Sequence, residues 1–106
     1  MDPLDSWRKM LAEDKHRAAM LPQGQVKNAL NKKIREIEMV LQVVEALPEA
    51  NPFRVRVENV ARLMQETPTA DLEAWKLVTD EFAGCLKIAR SMRQAAFNAK
   101  LAPKGE

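Results

Sequence analysis

Six prolines divide this chain, and the stretches between them carry a helical period. They stand at Pro3, Pro22, Pro48, Pro52, Pro68 and Pro103. Proline lacks the N–H that a helix interior needs, yet it fits a helix's first turn. A chain punctuated in this way reads as a set of helices joined by short connections.

Asp2-Pro3 has the form of an N-cap followed by a first helical residue, with Asp5 placed to help. The first helix is expected over about 3–21, where Pro22-Gln23-Gly24 stops it. Leu4, Trp7, Leu11, Ala18 and Leu21 recur at helical spacing and form its apolar stripe. The second helix is expected over 25–47. Its seam is Val26, Leu30, Ile34, Ile37, Leu41 and Val44, with alternating spacings of four and three.

Asn51-Pro52 repeats the cap signature and opens a third helix over 52–66, with Phe53, Val57, Val60, Ala61 and Met64 inward. Phe53 to Val57 also alternates apolar and basic, as a strand does, but no second strand exists to pair with it. The fourth helix is expected over 69–101, with Asp71 and Glu73 favouring its N-terminal dipole. Trp75, Val78, Phe82, Cys85, Ala89, Met92, Ala96 and Ala99 line one side of it. Gly84 sits in its middle and costs about 1 kcal/mol relative to alanine, so it could mark a break that makes five helices of four. Residues from Pro103 onward are expected to fray.

The expected fold is therefore all-α: a small bundle of four helices in a single domain, sequential helices antiparallel, with a long C-terminal helix. Composition agrees. Aromatic residues are 5%, tyrosine is absent and glycine numbers three, which disfavours a β-rich fold. Apolar residues at 46% and charged residues at 30% describe a folding chain rather than a disordered one.

The same counts limit the chemistry. A single cysteine, Cys85, cannot form an internal disulfide or a cysteine-based metal site. No secretory h-region stands near Met1, and no apolar run approaches the roughly 18–20 residues that span a bilayer, so a cytoplasmic protein away from membranes is expected. Glu13 and His16 have the Glu-x-x-His spacing of di-metal bundles, but both project away from the first helix's apolar stripe. No glycine-rich phosphate loop, Ser-His-Asp set or inward carboxylate pair appears. Lys33 falls within the second helix's apolar arc, where a lysine usually snorkels. Neither an enzyme nor a bound cofactor is expected.

Residues 59–69 resemble the first helix and turn of a helix-turn-helix DNA reader. Gln65 stands where that turn usually has glycine, and Glu66 where it has an apolar residue. The helix that would read DNA opens with Asp71 and Glu73, which repel phosphate.

Two surfaces exceed what one bundle needs. Met39 and Val43 point nearly opposite to the second helix's seam, as an association face would. The far half of the fourth helix overhangs its neighbours and carries small residues, Cys85, Ala89, Ala96 and Ala99, that let helix backbones approach closely. Charge is also divided. Residues 82–105 hold Lys87, Arg90, Arg93, Lys100 and Lys104 and no acid, while the remainder has 12 basic and 15 acidic residues. Spread around the helix, those five bases make only a weak stripe, partly explained by the C-terminal dipole.

The function expected is a helical protein-interaction module: an adaptor, chaperone-like binder or inhibitor, self-associating with a dimer favoured. Its contact residues are expected to be Met39, Val43, Leu47, Cys85, Ala89, Met92 and Ala96, with Arg90 and Arg93 at the rim. Such a compact chain would suit a phage or mobile-element inhibitor. The alternative is a nucleic-acid binder using Lys87, Arg90, Arg93, Lys100 and Lys104.

Overall fold

The computed structural model describes residues 2–101, and it is helical throughout, with no strand among them. The helices are α1 (Asp5–Met20), α2 (Gln25–Glu45), α3 (Pro52–Glu66) and α4 (Leu72–Leu101). The expected ends of the first, second and fourth helices move by one to three residues, and the local hydrogen bonds explain the changes at the N-termini. The Asp2 carboxylate accepts from the Leu4 N–H at 2.9 Å, and its carbonyl accepts from Asp5 N–H at 3.0 Å. Asp2 through Leu4 thus form a turn that delivers the chain into α1. Likewise Asp71 N–H donates to the Pro68 carbonyl, which closes a turn before α4. The Asp71 carboxylate then caps the helix by accepting from Ala74 N–H at 3.0 Å.

Asn51 caps α3 as its sequence signature implies. Its side-chain oxygen accepts from Phe53 N–H at 2.8 Å and from Arg54 N–H at 3.3 Å. The Phe53–Val57 alternation belongs to a helix, with Val57 in the core and Val55 and Arg56 exposed. Arg54 closes the end of α2 by donating to the Leu47 carbonyl at 2.9 Å and the Val44 carbonyl at 3.4 Å. Those are C-terminal carbonyls that a helix cannot satisfy itself.

α4 is unbroken through Gly84, so the described residues form four helices and not five. Its 30 residues span about 45 Å at 1.5 Å per residue. The glycine has a packing reason. A Cβ at Gly84 would stand 3.1 Å from the Arg56 guanidinium, so the missing side chain makes room for that group. Arg56 crosses there to pair with Glu81, which holds the Glu81 carboxyl below its usual range through the hydrogen bond it donates.

α2 is the central helix. It packs most extensively against α1 and α4, and α3 packs chiefly against α4. The α1–α3 and α2–α3 contacts are slighter. α1 and α4 meet through side chains, the Trp7 and Phe82 rings lying edge to face at 5.8 Å. The core includes Leu4, Trp7, Ile37, Val40, Val44, Val57, Val60 and Cys85, each almost wholly enclosed. A buried Leu, Ile or Val of this kind contributes roughly 1.5–3 kcal/mol. No helix among the described residues is long and apolar enough to cross a membrane.

Candidate functional site

The contact between α2 and α4 carries two adjacent surface hollows, one apolar and one basic, which together make up its groove. The apolar end is lined by Met39, Gln42 and Val43 from α2, by Ala46 just after it, and by Met92, Arg93 and Ala96 from α4. The basic end is lined by Lys32, Arg35, Glu36 and Met39 from α2 and by Arg90 and Arg93 from α4. Met39 and Arg93 stand between the two and line both.

Five of the residues expected at a contact surface therefore converge: Met39, Val43, Met92, Arg93 and Ala96. They contribute unequally. Ala96 is exposed, while Val43 and Met92 are half-buried. Met39 is only 8% exposed, which corrects its expected place on an open face. The reason is that α2 is covered on more than one side, and Met39 becomes the groove's floor. Cys85 and Ala89 are fully buried in the chain's own core. Their small size serves packing within the chain, and neither is surface. Burial pushes the Cys85 thiol above its usual range, so it is a packed, unreactive group. The overhang of α4 consequently starts after Met92, not at Gly84: from Arg93 to Lys100 every residue is exposed. Leu47 is half-buried in the connection that follows α2.

Charge at the groove's other end exceeds what the sequence alone displayed. Arg90 pairs with Glu36 at 3.3 Å and remains largely exposed. Among the described residues, Lys32, Arg35 and Arg93 have no carboxylate partner. Lys87, Arg90, Arg93 and Lys100 fall within an arc of about 140° at 100° per residue, which is a defined stripe. Phe97, 55% exposed, lies inside that arc. Lys104 lies outside the described residues.

Lys32 and Arg35 escaped the sequence reading because bases were counted along one helix. They reach this face from a helix more than fifty residues away in the chain. Asp14 was missed too. It is 3% exposed, with its carboxylate 3.1 Å from the Lys33 ammonium and 3.5 Å from Arg17. The Lys33 approach lacks the alignment of a hydrogen bond, so the oxygen is charge-paired but not bonded. A signal existed. The stripe spacing from Leu11 to Ala18 runs through position 14, so Asp14 had to face inward, toward the lysine already noted in the second helix's apolar arc.

A second hollow lies between α3 and α4, lined by Arg56, Asn59, Val60, Leu63, Thr67, Ala74, Leu77, Val78 and Glu81. Leu77 is 71% exposed and Leu63 is half-exposed there. Glu13 and His16 are both exposed on α1, and no group of three metal-ligating side chains occurs among the described residues. Comparison of the chain with protein-family models, curated proteins and solved structures finds no match.

Proposed function

We propose that this chain is a helical protein-interaction module, an adaptor or inhibitor that acts by holding an acidic amphipathic segment in the α2–α4 groove. One observation carries the reading. Val43, Ala46, Met92 and Ala96 offer an apolar shelf next to the bases Lys32, Arg35 and Arg90, with Met39 and Arg93 lining both. A partner helix with leucines along one edge and carboxylates toward one end matches both parts. The bases set orientation and encounter rate, and the shelf supplies the buried area.

We infer further that sequential helices run antiparallel. The pairs Arg8–Glu45 and Lys15–Glu38 support this for α1 and α2, since numbers rise on one helix as they fall on the other. The Arg56–Glu81 pair, with Leu63 beside Ala74 and Leu77, supports it for α3 and α4. Self-association and a cytoplasmic setting belong to the same reading.

The test is binding of a synthetic helical peptide bearing leucines and glutamates, beside a charge-reversed counterpart, followed by calorimetry. The acidic peptide should bind, and Arg35→Glu/Arg93→Glu or Val43→Asp should weaken it at least tenfold. Equal binding of both peptides, or of neither, would overturn the reading.

Nucleic-acid binding is the second reading, favoured by Phe97 exposed within the basic stripe, where it could stack on a base. A labelled oligonucleotide at low salt decides it. Retention that Phe97→Ala and Arg93→Glu both reduce would support it, and no retention would end it.

A further inference from the structure

The groove needs an acidic, leucine-bearing occupant, and this chain displays one. On the N-terminal half of α4, Leu77 is 71% exposed. Glu73 and Asp80 are exposed four residues before it and three after, on the same side of the helix. Leu63 of α3 stands across the hollow from Leu77. Among the described residues neither Glu73 nor Asp80 pairs with a base. Lys76, three residues after Glu73 and four before Asp80, is exposed beside them on the same side of the helix and closes no ion pair with either, and the Arg56–Glu81 pair at the hollow's edge is already neutral within itself. The face is thus an exposed leucine beside two carboxylates and one lysine, acidic on balance by one charge. The groove is an apolar shelf joined to three uncommitted bases.

A single copy cannot bring its two faces together. Leu77 and Arg93 are 16 residues apart on one continuous helix, about 24 Å along its axis and about 160° around it. Met92 and Ala96, the apolar residues of the groove on α4, lie about 60° and 100° around the helix from Leu77 and more than 20 Å along it.

We propose that the occupant of the α2–α4 groove is the Glu73–Leu77–Asp80 face of a second copy of this chain, so that copies join head to tail. This rests on the groove reading of the previous section. The contact is heterologous. It leaves one groove and one ridge free at the two ends, so that further copies can add.

Complementary half-disabled variants test it. Leu77→Asp removes the ridge and leaves the groove. Arg35→Glu/Arg93→Glu reverses the groove and leaves the ridge. All three positions are exposed, and circular dichroism checks that each variant is folded. By sedimentation velocity, the native chain should grow in mean mass with concentration and shrink with added salt. Each variant alone should stay at one chain. Their equimolar mixture should form a species of two chains and nothing larger, since the ridge of one enters the groove of the other and both remaining faces are disabled. A native chain that stays monomeric at every concentration, or a mixture that never pairs, overturns the proposal. The acidic peptide separates the two readings. If it binds the monomeric chain, only the self-docking falls, and if it too fails to bind, the groove reading falls with it.

Discussion

The two halves of α4 are built from one helix and do opposite things. The N-terminal half packs on α3, exposes leucine and carries acids. The C-terminal half packs on α2, buries Cys85, Leu86 and Ala89, and carries bases. The difference shows that a residue type has no fixed role along a helix. Its role follows from which neighbour the helix has at that level. Ala89 and Ala96 make the point. Seven residues apart on nearly one face, the first is enclosed and the second exposed.

The largest effect should come from that pair. Ala89→Asp places a carboxylate where no solvent reaches, and urea unfolding should show a loss of more than about 3 kcal/mol. Ala96→Asp should cost under about 0.5 kcal/mol. Equal costs would mean that α4 does not pass from core to surface between the two.

Next comes Asp14→Ala. It leaves Lys33 without its partner and should cost about 1–3 kcal/mol, less than a wholly enclosed pair because the lysine is half-exposed. Lys33 adjoins Lys32 of the groove, so the variant should also bind acidic peptide no more weakly than the native chain. Weaker binding would show that the groove's geometry depends on the α1 pairing.

Gly84→Ala, at the junction of the halves, sets helix propensity against crowding. Propensity favours alanine by about 1 kcal/mol. The crowding is against the tip of a flexible arginine, which can shift by the few tenths of an ångström needed. The thermal midpoint should rise slightly. A fall would mean that the Arg56–Glu81 bridge is worth more than the helix gains.

The smallest effect concerns acid. Glu81 and Asp2 both have carboxyls held below their usual range, Glu81 by Arg56 and Asp2 first by the Leu4 N–H. A lowered folded-state pKa stabilises above the unfolded value. That contribution is present at neutral pH and is lost as pH drops through the lowered values. Stability measured from pH 6 down to pH 2 should therefore fall, and Glu81→Gln should flatten part of the fall. An unchanged slope in that variant would remove the Arg56–Glu81 pair from the account.

Much of the fold was legible in the sequence because local rules govern it. Proline placement and the Asn51-Pro52 cap set the elements, and the stripes of α1 and α3 named their buried apolar residues. The site was legible only in part. Met39, Val43, Met92, Arg93 and Ala96 could be picked out as surplus to a simple seam, and they do share one groove. How deeply each lies could not be read, since burial depends on which helices flank α2, a matter of three-dimensional order. Val26 shows the same limit. It continues the α2 seam in period yet is 71% exposed, because the seam's first turn lies beyond its neighbours. Lys32 and Arg35 needed the α2–α4 neighbourhood before they could be joined to Arg90 and Arg93.

The unbroken passage of α4 through Gly84 has a mechanical consequence. A stiff rod clamped near Cys85 is a lever with arms on both sides. A tilt of about 10° about that point would swing the Lys100 end by about 4 Å, given some 22 Å of helix beyond the fulcrum. An occupant that pries the C-terminal turns away from α2 would press the opposite arm, with Leu77 and Glu81, against α3. Force applied at one end of the molecule is thus delivered to the other with its direction reversed.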